Sequence, residues 1–182
     1  MTSRLFSIFL LTFFSPIILI ILLITFFDLK ANPIFVQDRV IDGSRIFKFY
    51  KIRTMKKSAP QVATNLIESP HLFITKWGKF LRTTSIDEVL NLISIVKGDM
   101  NFIGPRPIMV NEIELIEYRK RNGISSKGGV TGLAQIEGRD YILVTRKIAA
   151  ERYYESKKNF LLDVSIILKT IYIVLKRSGI SH

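Results

Sequence analysis

The stretch Arg82 to Pro107, RTTSIDEVLNLISIVKGDMNFIGPRP, places two adjacent carboxylates where a helix should begin. Ser85 precedes an apolar run and Glu88 follows it by three residues, which is the spacing of a capping box at a helix N-terminus. Asp87 and Glu88 therefore fall in the first turn, where unpaired amides and the helix dipole stabilise negative charge. We expect both carboxylates to be ionised and the helix to end at Lys97-Gly98.

Carboxylates in a first turn are common for stability alone, so their neighbours must distinguish that role from a chemical one. Arg82 lies just upstream, and Gly104-Pro105-Arg106-Pro107 follows the helix, with prolines that would preset the backbone around the arginine. A guanidinium binds phosphate oxygens bidentately, and a fixed carboxylate can be a nucleophile or a metal ligand. The combination points to phosphoryl chemistry.

Composition limits the partners and the kind of metal site. The 182 residues suggest one domain plus an attachment. The net charge of +12 predicts an anionic partner, either nucleic acid, a phospholipid surface or a phosphorylated substrate. With no cysteine and two histidines, a metal would be held mainly by oxygen, which favours Mg²⁺ bound partly through substrate phosphates.

The N-terminal residues predict a membrane protein. Residues 5–27 contain no charged side chain, and an apolar run of about twenty residues can cross a bilayer. Ser15-Pro16 interrupts the run, so we expect a kink there, with the serine hydroxyl satisfying a freed carbonyl. The residues alone leave two geometries open: a kinked spanning helix, or a re-entrant hairpin that leaves the membrane on the side it entered.

Two regions follow from these patterns: a membrane-inserted helix in residues 1–30 and a membrane-associated catalytic domain in residues 31–182. Lysines and arginines are dense directly after the apolar run, which places the second region in the cytoplasm by the positive-inside tendency.

The rest of the chain predicts an α+β fold with a small β-hairpin and a mostly helical domain. Residues 34–36 and 46–52 flank Asp42-Gly43, a hairpin signal, and residues 54–75 should form a loop with a helical turn. Helices are predicted at 76–81, 109–120, 141–154 and 160–176. Asp163 and Lys169 interrupt the last helix, so it should be an amphipathic surface or core helix and not a second span.

The segment 127–140 is rich in glycine. Its glycines would allow the backbone to approach a phosphate closely, with Arg139 supplying charge, but a glycine-rich turn beside a short strand is also common structure. Both interpretations remain open from the sequence.

With these features in view, the sequence resembles the bacterial sugar transferase family, and within it the small monotopic phosphoglycosyl transferases. The resemblance covers nearly the whole chain and implies the minimal catalytic form of the family. It is carried by Ser15-Pro16, by FKFYKIRTM at 47–55, LRTTSIDE at 81–88, KGDM at 97–100, GPRP at 104–107, VTGLAQ at 130–135, Gly138-Arg139 and Leu162-Asp163.

The resemblance implies transfer of a sugar 1-phosphate from a UDP-sugar to polyprenyl (undecaprenyl) phosphate, with Mg²⁺ as cofactor and UMP as the leaving product. It implies that Asp87 attacks the β-phosphate to form a covalent phosphosugar intermediate, and that Glu88 completes the dyad, which also carries the metal. The residues matching phosphate-neutralising positions are Lys51, Arg82, Arg106 and Arg139. It further implies a re-entrant helix broken at Ser15-Pro16, in a protein of the bacterial inner membrane with its catalytic domain on the cytoplasmic face.

The expected partners are the UDP-sugar, the polyprenyl phosphate, the phospholipid membrane, downstream glycosyltransferases and a second copy of the chain. Nucleic acid is not expected, because no aromatic platform or base-reading motif accompanies the positive charge. The alternative is a membrane-tethered basic binding or scaffold protein without catalysis, against which the intact Asp87-Glu88 pair argues. Residues 175–179 resemble the branch that uses N-acetylated deoxy-amino sugars.

Overall fold

The computed structural model describes residues 2–42, 44–60, 62, 67–138 and 143–176. Within them the fold is mixed helix and sheet. The α-helices are α1 (Thr2–Leu29), α2 (Lys76–Thr83), α3 (Leu92–Lys97), α4 (Ile113–Arg121), α5 (Leu133–Gly138), α6 (Val144–Lys157) and α7 (Phe160–Lys176). The strands are β1 (Ile34–Val40), β2 (Phe47–Ile52), β3 (Met100–Ile103), β4 (Ile108–Met109) and β5 (Gly128–Thr131). Two 3₁₀ helices span Pro70–Leu72 and Ile86–Asn91.

The predicted hairpin is present. β1 and β2 pair antiparallel, with Ile34 opposite Ile52 and Arg39 opposite Phe47. β4 pairs on the other side of β1, so the strand order is β2-β1-β4 and β2 lies at the edge. β1 continues beyond the predicted 34–36 to Val40, because its pairing with β2 runs to Arg39 and Val40 pairs with Ile108 of β4.

The outer edge of β2 is covered by polar side chains from the segment that follows Asp87. The Tyr50 amide donates to the Asn91 side-chain oxygen at 3.2 Å, and the Ser94 hydroxyl donates to the Lys48 carbonyl at 2.9 Å. Both side chains are fully buried. They satisfy backbone groups that an edge strand would otherwise leave unpaired, and they fix the segment against the sheet.

A second, two-stranded sheet uses the glycine-rich segment. β3 and β5 are parallel, with Met100 beside Gly128, and the Gly104 amide donates to the Thr131 carbonyl at 2.9 Å. A Cβ on Gly129 would lie 2.1 Å from the Gly104 nitrogen. In the described part of this segment, glycine therefore permits backbone to pack on backbone, which is the structural alternative left open by the sequence. Arg139, the cation predicted beside it, lies outside the described residues.

α1 is, among the described residues, the one helix long and apolar enough to cross a membrane. It continues through Pro16, and the Ser15 hydroxyl donates to the Thr12 carbonyl at 2.7 Å. That carbonyl is the one whose usual i+4 donor is missing at a proline, so the expected role of the serine is confirmed. A re-entrant course through the membrane stays a prediction.

Both ends of α1 contact the folded domain. Near its start, the Phe6 and Phe102 rings lie 5.6 Å apart, and near its end the Trp77 indole donates to the Thr25 hydroxyl at 2.9 Å. Between them, Ile18 packs in a buried cluster with residues of β2, α2 and the 3₁₀ helix Ile86–Asn91. The helix therefore lies along the domain for most of its length.

The predicted helices are present, but α4 begins at Ile113 and not at 109, because Ile108–Met109 form β4 against β1. α7 spans the predicted 160–176, with Ile166 buried and Phe160 79 % exposed, as a surface helix requires. The sequence also places Ile113 on the apolar face of the helix predicted at 109–120. This is wrong, because Ile113 is 64 % exposed whereas the charged Arg119 is fully buried. The reason is a charged partner on α6, described below.

The contacts at both ends of α1 predict that its two termini lie on the same side of the membrane. The chain has no cysteine, so Thr2→Cys and Lys57→Cys each introduce a single labelling site at an exposed position. In intact cells we expect both sites to resist a membrane-impermeant maleimide, and both to react after lysis. Labelling of Thr2→Cys alone in intact cells would show a spanning helix instead.

Candidate active site

Asp87 and Glu88 occupy the first turn of the 3₁₀ helix Ile86–Asn91, which continues into α3. The predicted capping box is wrong. Ser85 precedes the helix in a left-handed conformation, with φ of 57°, and its hydroxyl makes no capping hydrogen bond. Its supposed partner, the Glu88 side chain, is bound elsewhere. The predicted end is confirmed, since Gly98 follows Lys97 with φ of 86°, a conformation that favours glycine.

Glu88 is the most strongly paired carboxylate of the site. One of its oxygens accepts from the Lys51 ammonium at 2.8 Å and from Arg106 at 2.6 Å, and its other oxygen accepts from Arg106 at 3.2 Å. Burial raises the pKa of Glu88, but Arg106 and Lys51 outweigh burial and hold the pKa well below its usual range. Glu88 is therefore ionised because of tertiary ion pairs and not because of the helix start.

Asp87 has the opposite electrostatic balance. Its side chain is buried, with 7 % of the residue exposed. Burial raises the pKa of Asp87 to about 6, and the charge of Glu88 adds to this, while Lys51, Arg82 and Arg106 oppose it. The expectation that the helix start keeps this carboxylate readily ionised is therefore wrong, because burial outweighs any such effect and the pKa is raised. The Asp87 charge is costly in the fold, and the surrounding cations only partly offset that cost.

The loop 104–107 presents Arg106 to Glu88, and donors from three other elements hold its backbone. The consecutive carbonyls of residues 105–107 accept, in order, from the Gly129 amide of β5, from Arg119 of α4 and from Arg39 of β1, at 2.9, 2.9 and 3.2 Å. The predicted stiffness of the loop therefore comes from these bonds as well as from its prolines.

Arg119 forms a buried ion pair that sequence reasoning missed. Its guanidinium donates twice to Glu151 on α6, and the two side chains are 0 % and 2 % exposed. The Arg119 fork also donates to the Ile41 carbonyl at 3.1 Å. No local pattern could have shown this pairing, because the two residues are 32 positions apart on separate helices.

Of the predicted phosphate-binding residues, Lys51 and Arg106 contact Glu88, and Arg82 on α2 acts electrostatically on Asp87. Arg139 lies outside the described residues. These cations approach the dyad from three separate elements, which is the arrangement that a phosphorylated substrate needs.

The dyad is also the place where a metal would bind. Among the described residues there is no group of three or more His, Asp or Glu side chains that could hold an ion alone. A hard cation would therefore need substrate oxygens as well. Since both Glu88 oxygens already accept from cations, Asp87 suits Mg²⁺ better, and binding of the metal by both carboxylates stays a prediction.

Comparison with known proteins gives a consistent result. A family model described as bacterial sugar transferase matches residues 1–177. The galactosyl transferase CpsE of Streptococcus agalactiae serotype III is 37% identical over 158 residues, which are 80% of this chain and 35% of CpsE. The uncharacterized sugar transferase EpsL of Bacillus subtilis is 33% identical over 176 residues, covering 97% of this chain and 86% of EpsL.

A third relative is the UDP-N-acetylgalactosamine-undecaprenyl-phosphate N-acetylgalactosaminephosphotransferase of Aeromonas hydrophila. It is 30% identical over 174 residues, covering 91% of this chain and 41% of the relative. The chain thus spans little more than a third of CpsE and about two fifths of the Aeromonas protein, but most of EpsL.

The raised pKa of Asp87 predicts that Asp87→Asn stabilises the protein at alkaline pH. Below the unfolded value of 3.8 the carboxyl is neutral in both states, and above about 6 the native state must carry a buried charge. With metal removed by EDTA, we expect a gain of about 2–3 kcal/mol at pH 8 that shrinks toward zero near pH 4. Thermal unfolding in detergent at both pH values measures it.

Asp38→Asn is the matched control, because Asp38 pairs with Lys48 at the surface and is 45% exposed. It should show no comparable pH-dependent gain. A gain from Asp87→Asn that is the same at pH 4 and pH 8 would contradict the raised pKa.

Proposed function

This chain belongs to the bacterial sugar transferase family, and we propose that it transfers a sugar 1-phosphate from a UDP-sugar to polyprenyl phosphate, releasing UMP. The observation that carries the proposal is the dyad itself: a buried Asp87 next to a Glu88 that holds Lys51 and Arg106 beside it. The name of the Aeromonas relative contains both a UDP-sugar and undecaprenyl phosphate, which supports these substrate classes. The reaction would be the first membrane step of a glycan or glycoconjugate.

The first chemical step is attack by an Asp87 carboxylate oxygen on the β-phosphorus of the UDP-sugar. The bond from that phosphorus to the bridging oxygen breaks, and UMP leaves with the oxygen and its electron pair. A buried carboxylate whose charge is costly in the fold is poorly hydrated, so less solvation is lost when it attacks. The product is a phosphosugar ester of Asp87.

The second step regenerates the carboxylate. A phosphate oxygen of polyprenyl phosphate attacks the same phosphorus, the bond to Asp87 breaks, and polyprenyl-diphosphate-sugar leaves. In both steps negative charge gathers around the phosphorus, and Lys51, Arg82 and Arg106 supply the opposing charge. Glu88 orients two of these cations through its ion pairs. Arg139 remains a proposed fourth phosphate ligand.

Mg²⁺ fits this site through Asp87 and the substrate diphosphate, with Glu88 as a further ligand only where its ion pairs open. When bound, the ion would neutralise phosphate charge and favour departure of UMP. The chain's own residues still determine where the nucleophile lies, because Asp87 is fixed by the helix Ile86–Asn91 and by its neighbours.

The membrane setting follows from α1. Its contacts with the domain near both ends support a re-entrant helix, with the dyad close to the membrane surface on the cytoplasmic face of the inner membrane. Polyprenyl phosphate would reach Asp87 from this surface, while the UDP-sugar arrives from the aqueous side. No nucleic-acid role is needed to account for the charge.

The proposal predicts UMP formation by nanodisc-held protein given polyprenyl phosphate, Mg²⁺ and a panel of UDP-sugars, including galactose and N-acetylated sugars. Asp87→Asn should lower the rate by at least about a thousandfold, because it removes the nucleophile. With labelled donor and no acceptor, the wild type should retain label on the protein and the variant should not. Asp38→Asn serves as the surface control with unchanged activity.

Two outcomes count against the proposal. The absence of UMP with every donor would leave the membrane-tethered binding or scaffold role. Undiminished UMP from Asp87→Asn would exclude the covalent mechanism while keeping the transferase.

A further inference from the structure

We propose that the buried Arg119–Glu151 ion pair is a positioning device that sets the place of Arg106, and through it the turnover of the enzyme. The inference rests on the proposed function for its kinetic consequence. Neither residue belongs to the dyad or to the cations that face it, and neither is exposed to the substrate side, since both are buried.

The pair is rigid in its own right. The Arg119 Nε donates to one Glu151 oxygen at 2.8 Å, and a terminal nitrogen donates to the other at 2.5 Å. Two parallel bonds between planar groups fix the orientation of the guanidinium as well as its distance. Because the residues lie on α4 and α6, the guanidinium is fixed relative to two helices at once.

Arg119 also donates to two backbone carbonyls, and one of them belongs to Arg106. One terminal nitrogen also donates to the Arg106 carbonyl at 2.9 Å, and the other donates to the Ile41 carbonyl at 3.1 Å. Arg119 therefore ties the loop that carries Arg106 to the chain just after β1. The bond to Arg106 falls on the backbone of the very residue whose side chain clamps Glu88.

Pro105 and Pro107 are fully buried and the Gly104 amide is bound, so the Arg106 backbone lies between two fixed residues. Pro105 and Pro107 have no N–H, so Arg106 has the sole backbone donor of the three residues. Their carbonyls are the main backbone contacts, and each one is bound. Removal of the donor to the middle carbonyl would take away the bond that ties the Arg106 backbone to α4.

A purely stabilising role explains this arrangement less well. Buried ion pairs are weak sources of net stability, and replacing both partners by apolar side chains is often neutral. A misplacement of about 1 Å at a catalytic group, in contrast, can cost about a hundredfold in rate. Hydrogen bonds link Glu151 to Arg119, Arg119 to the Arg106 carbonyl, and the Arg106 side chain to Glu88. The link ends at the proposed catalytic dyad, so its loss is expected to affect the rate.

The test replaces the pair as a unit, with Arg119→Met and Glu151→Met together, so that neither partner is left buried without the other. Lys147, which is partly buried and interacts with both, remains beside the replaced pair. We expect a folded protein whose kcat for UMP release falls about ten- to a hundredfold while KM for the UDP-sugar changes less than threefold. Arg119→Lys keeps the charge but loses the two-pronged geometry of the guanidinium. Its kcat should lie between those of the wild type and the paired replacement. The control is Arg121→Met with Glu117→Met, the exposed ion pair of the same helix, which should leave kcat unchanged.

A double-mutant cycle separates positioning from general damage. If Arg119 acts through Arg106, the paired replacement should change the rate less than twofold in an Arg106→Ala background. The proposal would be overturned if the paired replacement lowered kcat by the same factor in the Arg106→Ala background as in the wild type. An unchanged kcat in the wild-type background would also overturn it. Where the paired replacement does not fold, Arg119→Lys enters the same cycle with the same two outcomes.

Hydrogen exchange of the peptide covering 102–109 gives a readout that does not need turnover. The paired replacement should speed exchange there, and the Arg121 and Glu117 control should not; equal exchange would count against positioning. If the wild type released no UMP, the proposed function alone would be refuted. If the wild type were active and the paired replacement had the same kcat, the positioning role alone would be refuted.

Discussion

The ionised Glu88 carboxylate, held between Lys51 and Arg106, is the interaction on which the site depends. It joins an edge strand, a 3₁₀ helix and a proline-flanked loop that are far apart in the sequence. A carboxylate of low exposure is stable only with such partners, and its partners would repel each other without it. Because Asp87 is the adjacent residue, its position follows from this arrangement. Its unfavourable charge comes mainly from burial and is partly offset by the same cations. Glu88 binds the cations, and in the proposed mechanism Asp87 is the nucleophile.

Around this centre the fold supplies support mainly through backbone contacts. Asn91 and Ser94 complete the hydrogen bonds of β2, and Gly104 and Gly129 let two backbones pass within a distance that a methyl group would prevent. Arg119 adds the link from α4. The sheets are small, so the geometry of the dyad comes from many single bonds between segments and not from one extensive sheet.

Local patterns in the sequence were sufficient where local physics determines the outcome. The hairpin, the end of α3 at Gly98 and the bounds of α7 follow from alternation, a left-handed glycine and an apolar run. Local patterns gave wrong predictions where contacts with residues distant in the sequence determine the structure. Glu88 had the spacing of a capping residue, but Lys51 and Arg106 bind it more strongly than an amide would. The pKa of Asp87 depends on burial, and the Arg119 pairing depends on α6, neither of which leaves a periodic signal.

The packing of α1 has a consequence for how the protein could be handled. Ile18 lies in the same buried cluster as Leu81 and Leu90, directly beneath the helix that carries the dyad. A truncation of α1, made to obtain a water-soluble domain, would also remove side chains that pack against the helix Ile86–Asn91, which carries Asp87 and Glu88. A soluble version would instead require polar redesign of the outward positions of α1, such as Phe13 and Phe27, with the inward face left intact. The inward face of α1 thus belongs to the buried core of the domain, and its outward apolar face is the part suited to lipid.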